Sequence, residues 1–303
     1  MPCPRLQHKS FLWLLVVLCF CASCHTRSAP TTSSPKLLFT DETGRQLALT
    51  PNPQRIISLA PNITETLFAL GLGERVVGVT TYCDFPAEAK AKEKVGDTLK
   101  PNLERIIALK PDLVLISTAS QLEKITRQLD QLSIPVFITN PKTVAEVLAS
   151  IRKLGEITGT SLRAEELASA MQHKIKDSPQ RATTAPPKVL YVLQLSPLIT
   201  AGKNTFINDL INIAGGQSIS GEETTDYPQF SRETAIARAP EVIIVPESHG
   251  SELVSIEAIK RDFAVTPAVK NNRVVGINPD LIDRPGPRIV EGLDALRKAI
   301  HGQ

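Results

Sequence analysis

Eleven residues that occur twice constrain the fold of this chain more than any other feature. Asn102-Leu103-Glu104-Arg105-Ile106-Ile107-Ala108-Leu109-Lys110-Pro111-Asp112 runs directly into the apolar Leu113-Val114-Leu115-Ile116. Ser231-Arg232-Glu233-Thr234-Ala235-Ile236-Ala237-Arg238-Ala239-Pro240-Glu241 runs into Val242-Ile243-Ile244-Val245. With Glu104 set on Glu233, 129 residues further on, Ala108 falls on Ala237, Pro111 on Pro240 and Asp112 on Glu241. Each copy predicts a polar cap, a short helix with a glutamate in its first turn, a proline stop and a buried strand. The spacing is far beyond the period of any solenoid, so the repeat predicts two similar lobes rather than an array. Two lobes place a cleft between them.

The N-terminus carries Arg5 and Lys9, an apolar run from Phe11 to Cys21, and Ala22-Ser23-Cys24. A charged start, an apolar stretch too short to span a bilayer and small residues at its end predict a signal peptide over residues 1–23. Small residues before a cysteine also resemble a bacterial lipobox, which predicts lipidation of Cys24, although Cys21 stands where that pattern prefers Leu. The polar segment 24–35, rich in Ser, Thr and Pro, reads as a tether. The expected location is therefore the periplasm or the outer cell surface, with the chain held to a membrane through Cys24.

Four of the five cysteines belong to this leader, leaving Cys83 alone in the folded part, so no internal disulfide is possible. Cys83 reads as a thiolate metal ligand or, more simply, as a small buried packing residue. No Cys/His cluster has zinc spacing. Formal net charge is +3, of which Arg5 and Lys9 belong to the leader, and the remaining charges are interspersed. Such a surface excludes a nucleic-acid footprint.

From Lys36 the pattern predicts a hairpin turning at Thr43-Gly44, then short β-branched runs (56–59, 76–79, 113–116, 136–139) alternating with helical stretches (63–70, 103–109, 121–132). That alternation indicates a parallel sheet with helical crossovers. Residues 143–177 contain no strand-like run, and Val144, Val147, Leu148, Ile151, Leu154, Leu162, Leu167 and Met171 recur at helical spacing. Gly155 and Gly159 interrupt the pattern, so it predicts one long connecting helix, straight or kinked, of about 50 Å. A second set comes after it: strand 189–195, helix 205–214, the second motif copy, strand 273–277 and helix 287–300. The organisation expected is a first α/β lobe over 36–142, a connecting helix over 143–177 and a second α/β lobe over 178–303, with mostly parallel sheets and a ligand cleft between the lobes.

Three ordered segments carry a resemblance. Arg55-Ile-Ile-Ser-Leu-Ala-Pro-Asn-Ile-Thr-Glu65, Val76-Val-Gly-Val-Thr-Thr-Tyr-Cys-Asp-Phe-Pro86 and Asn102 to Asp112 are similar to the substrate-binding proteins of ABC importers for cobalamin, haem and iron siderophores, and most like the cobalamin binders. The similarity continues through Pro228-Gln-Phe-Ser-Arg-Glu233 and Asp280-Leu-Ile-Asp-Arg284-Pro-Gly-Pro-Arg288. It implies two lobes joined by a rigid helix, little motion on binding, a cobalamin ligand (or haem or a ferric siderophore), no catalytic cofactor and a monomer that meets an inner-membrane ABC permease.

The resemblance also implies roles for individual residues. Pro61 and Asn62 follow a strand at its carboxyl end, where open α/β sheets bind ligands; Asn62 or Thr64 is also placed to cap the helix that starts there. Tyr82 follows the next strand and offers an apolar face with a polar tip to a flat macrocycle. Tyr227 and Leu195 are expected to face the cleft from the second lobe. Asp280 and Arg284, on a loop after strand 273–277, match positions that make polar ligand contacts; the bland alternative is a surface ion pair. Glu104 and Glu233 match the glutamates that meet permease arginines, although either also suits the positive end of its helix. The chain departs from the cobalamin binders at Thr98, Thr118, Leu195 and Tyr227, where they carry Trp or Phe. An enzyme is the contrasting reading, but the sequence has no nucleophile elbow and no His beside a Ser or Cys in a recognised motif.

Overall fold

The computed structural model describes residues 36–118, 123–177, 185–247 and 254–302. The expected signal peptide and tether, Cys24 included, lie outside the described residues. No helix among those described is long and apolar enough to cross a membrane.

The first lobe opens with the expected hairpin, β1 (Leu37–Thr40) against β2 (Gln46–Leu49), paired antiparallel. Its turn is organised by Asp41 Oδ1, which accepts from the Thr43 and Arg45 amides and the Thr43 hydroxyl. Next come β3 (Ile56–Ser58), α1 (Pro61–Ala69), β4 (Val76–Val79), β5 (Glu93–Lys94), α2 (Leu103–Ala108), β6 (Leu113–Ser117), α3 (Glu123–Gln131) and β7 (Val136–Thr139). The five strands form one sheet in the order β5-β4-β3-β6-β7, every neighbour parallel. Both faces are covered. Ile56, Leu113 and Leu115 belong to the main core, while Ile57, Val114 and Ile116 pack in a second cluster. This is the period-2 alternation of a strand read from two apolar sides.

The connector departs from the sequence reading. Residues 143–177 form two helices, α4 (Val144–Thr158) and α5 (Ser161–Asp177), not one. Gly159 breaks them by adopting φ +73°, left-handed, with its amide returned to the carbonyls of Glu156 and Gly155. Only glycine takes that conformation without a steric cost, and a left-handed residue ends an α-helix. Val144 N donates to Asp209 Oδ2 in the second lobe at 2.7 Å, while Arg75 of the first lobe bonds the Thr158 carbonyl at 3.0 Å. Helix α4 therefore runs from the lobe boundary into the first lobe, and α5 carries the chain back. The crossing element is a helix, as expected, but of 17 residues, about 25 Å long. The two helices pass closely: a Cβ on Gly155 would come within 2.3 Å of Ala164 Cβ.

The second lobe comprises β8 (Lys188–Tyr191), β9 (Leu198–Ile199), α6 (Phe206–Ile213), β10 (Gln217–Ser218), β11 (Gln229–Phe230), α7 (Arg232–Ala237), β12 (Val242–Pro246), α8 (Ile256–Asp262), α9 (Pro267–Lys270), β13 (Val274–Ile277), α10 (Pro279–Ile282) and α11 (Ile289–His301). Its main sheet, β10-β8-β12-β13, is parallel throughout, and β9 pairs with β11 as a small antiparallel ribbon. One apolar core runs from Ile56 and Phe137 through Ile151, Ala164 and Met171 to Val189, Ile244 and Leu296, joining the lobes.

The repeated motif is a structural repeat. Helices α2 and α7 span the same positions of the repeat, each capped by its polar residue: Asn102 Oδ1 accepts from Arg105 N and Ser231 Oγ from Thr234 N, both at 3.0 Å. Both then place a non-glycine residue in the left-handed region at the same position, Lys110 at φ +46° and Ala239 at φ +49°. Neither residue type favours that region, so the turn after each helix is imposed by the proline and the buried strand downstream of it. The carboxylates of Asp112 and Glu241 complete the match, binding the amides of Arg55 and Lys188 at the start of the neighbouring strands.

Candidate functional site at the lobe boundary

Helix α1 starts one step after β3, at Pro61, whose ring fills the first helical position, where no amide donor is needed. Neither Asn62 nor Thr64 caps it: the N-cap is Ala60, and no side chain serves that end. Because Asn62 already lies inside the helix, its side chain is free to reach outward, and Nδ2 donates to the Pro285 carbonyl of the second lobe at 3.2 Å. Thr64 turns inward to Ser58 and to Cys83, which is buried and also lies 3.1 Å from Thr80 Oγ1. Cys83 is thus a packing residue, and no group of three or more potential metal ligands is assembled among the described residues.

One turn after Asn62, on the same face of α1, stands Glu65. Its side chain is only 2% exposed, and it accepts from two arginines of the second lobe. Arg288 binds it with two donors, Nε to Oε2 at 2.8 Å and Nη2 to Oε1 at 2.6 Å; Arg284 Nη1 adds a bond to Oε1 at 3.0 Å. The Arg288 guanidinium also lies over the Phe85 ring, 4.1 Å from its centre. Arg284 reaches Asp84 at 2.9 Å and Asp280 at 2.7 Å. Asp280 lies in the short helix α10, not on a loop, one turn from Arg284. Asp280 and Arg284 thus form an ion pair, half-buried rather than on an open surface, within a five-member cluster that bridges the lobes.

The cluster has the electrostatics of a partly desolvated site. Burial pushes the Asp84 carboxyl up, but the hydrogen bond and charge of Arg284 outweigh it and hold it below the usual range. Asp280 is raised by burial, which its arginine neighbours offset only in part. Asp283, next in the chain to Arg284, is pushed up to about 6 by desolvation, against the opposing bond it accepts from the buried Tyr191 hydroxyl at 2.6 Å. Three carboxylates, Glu65, Asp84 and Asp280, therefore meet two arginines, and both arginines are already paired.

Around this cluster the expected ligand residues divide. Tyr82 and Tyr227 present large side chains to solvent, 57% and 55% exposed, one from each lobe. Tyr82 is two residues from Asp84. Tyr227 follows Asp226, whose carboxylate accepts from Lys142 Nζ as a second charged contact between lobes. Asn62 sits against the second lobe, where a Cβ on Gly286 would lie 3.2 Å from its carbonyl. Leu195 packs against the second-sheet core that includes Leu190 and Ile243. Thr118 forms a polar pair with Asn140 at 2.6 Å. Sequence reasoning missed Glu65, Asp84, Asp283 and Arg288 as site residues. The available signal was the pair of arginines one helical turn apart on a rigid Pro-Gly-Pro loop.

Glu104 and Glu233 are both exposed in the first turns of α2 and α7. The arginine beside each is engaged elsewhere: Arg105 bonds the Lys94 carbonyl and lies 3.7 Å from Glu93, and Arg232 pairs with Asp262 at 3.0 Å. Among the described residues neither glutamate has an ion-pair partner.

Two α/β lobes with parallel sheets and one helical crossing are an architecture shared with solved periplasmic binding proteins. The family described as periplasmic binding protein matches residues 56–281, and the chain belongs to it. It is 35% identical over 271 residues to an uncharacterized ABC transporter substrate-binding lipoprotein, YvrC, of Bacillus subtilis, covering 86% of this chain and 84% of that one. A vitamin B12-binding protein of Pectobacterium atrosepticum is 33% identical over 244 residues, 78% of this chain and 85% of its own. Among solved structures, the periplasmic heme-binding protein RhuT from Roseiflexus superposes with a TM-score of 0.74 at 28% identity, over 82% of this chain and 98% of that one.

Proposed function

We propose that this chain is the substrate-binding component of an ABC importer and that it captures a corrinoid, cobalamin or a close relative, in the cleft between its lobes. The observation that carries the ligand reading is the charge balance at the boundary. Glu65, Asp84 and Asp280 outnumber Arg284 and Arg288, and both guanidinium groups are already paired. Of these, Asp84 and Asp280 are accessible at the rim; they offer hydrogen-bond acceptors to amide N–H groups, which line a corrin ring, while neither cluster arginine is left unpaired for a carboxylate, which porphyrins carry. The vitamin B12-binding relative supports the same reading. Tyr82 and Tyr227 supply the apolar faces that pack on a flat macrocycle. A second reading, haem, draws on those same tyrosines, whose exposed phenols are a chemistry suited to ferric iron.

Delivery rests on Glu104 and Glu233, two exposed carboxylates without an ion-pair partner among the described residues, on equivalent helices of the two lobes. They suit arginines on an ABC permease, acting on association rate and orientation. Absorbance titration with cyanocobalamin and with haemin tests the ligand. Cyanocobalamin is expected to bind, and Tyr82→Ala to weaken it roughly ten- to a hundredfold. A Soret shift with haemin and no response to cyanocobalamin would overturn the corrinoid reading.

A further inference from the structure

Asn62, Glu65 and Phe85 of the first lobe meet one short segment of the second, residues 284–288. Within that contact Glu65 is the member that cannot be replaced by water: at 2% exposure its carboxylate receives three donor contacts, all from the other lobe. Arg288 stands at the start of α11 yet is held by first-lobe groups, Glu65 on one side and the Phe85 ring on the other. Arg284 is pulled the same way, and its orientation brings its remaining donors onto Asp84 and Asp280.

We propose that Glu65 is a positioning residue: by gripping Arg284 and Arg288 across the boundary it sets the lobe-to-lobe geometry before any ligand arrives, and so presents Asp280 and the two tyrosines in a binding-competent arrangement. The effect on ligand affinity rests on the corrinoid reading; the effect on lobe geometry does not. Helix α5 and the shared core limit how far the lobes separate, whereas Glu65 fixes where they sit within that range. Without its charge, two neighbouring guanidinium groups lose their common anchor and the boundary samples several arrangements. Where only about one tenth of molecules remain competent, apparent affinity falls about tenfold.

The test uses the chain from His25 onward, with spin labels on Gln131→Cys and Lys260→Cys, two exposed positions in opposite lobes, and the buried Cys83 left in place. Pulsed dipolar spectroscopy on ligand-free protein is expected to give a narrow distance distribution for this background and a broad one for Glu65→Gln, with cyanocobalamin affinity about tenfold weaker and saturating ligand narrowing the distribution again. Arg288→Lys keeps the charge but loses the two-donor grip, and it is expected to broaden the distribution even if Glu65→Gln fails to fold. An unchanged ligand-free distribution in the folded variants overturns the proposal. Failure of every form, the parent included, to bind cyanocobalamin would strike the ligand reading and leave the distance result to decide this one.

Discussion

Replacing Arg284 by Ala removes three ion pairs whose weights differ. Asp84 is 50% exposed on its side chain, so water takes over much of what it loses, and that pair contributes about 0–1 kcal/mol. Glu65 is nearly sealed from water, but Arg288 still binds it with two donors, so the variant strips one charged hydrogen bond, about 1.5–3 kcal/mol. Because the anchor survives, the loss stays below the ~3–5 kcal/mol of a buried charge left wholly unpaired. The half-buried Asp280 pair adds a contribution of the size of the Asp84 one, and a net loss of about 2–3 kcal/mol corresponds to a melting temperature lower by roughly 4–6 °C for a chain of this size. Scanning calorimetry at pH 7 reads that shift, and ligand titration of the same sample reads the cleft. A melting temperature within about 1 °C of the parent would refute the reasoning, because it would mean that the cluster carries no folding energy.

Glu104→Ala and Glu233→Ala should reduce uptake and permease complex formation, the double variant by at least about tenfold, with ligand affinity of the isolated protein unchanged and the complex weakening as salt rises. Normal uptake by the double variant would be fatal to docking. Asp283→Asn keeps an acceptor for Tyr191 and should stabilise the protein more at pH 7.5 than at pH 4.5. A carboxyl raised to about 6 holds its proton in the folded state where the unfolded chain has released it, so its contribution is fullest below the ordinary aspartate range and is lost as pH rises through about 6. Equal melting shifts at both pH values would count against that environment for Asp283. Mass spectrometry of membrane fractions should find a mature chain beginning at a lipidated Cys24; an unmodified chain in the soluble fraction would remove the anchor and leave export standing.

Much of the architecture is legible in local pattern. Short β-branched runs bounded by Gly, Pro and polar caps mark β3, β4, β6, β7, β8 and β12, since parallel strands covered on both faces are largely apolar, and the same pattern marks β13 although it is a half-buried edge strand. The 129-residue offset also anticipates two equivalent helices and strands. The connector misled because apolar residues keep helical spacing on both sides of Gly159, and spacing cannot say that this glycine adopts a left-handed turn. Site residues were legible where they sit at strand ends, as Tyr82 does. Glu65 and Arg288 were not, because their partnership spans more than two hundred residues and exists only once the lobes are packed.

The central claim, capture of a corrinoid, is tested most directly by competition: the chain is mixed with equimolar cyanocobalamin, haemin and a ferric siderophore and weighed by native mass spectrometry. A single dominant adduct is expected, one cyanocobalamin per chain, and it should diminish in Tyr82→Ala. A dominant haem or siderophore adduct, with cyanocobalamin left free, would contradict the claim.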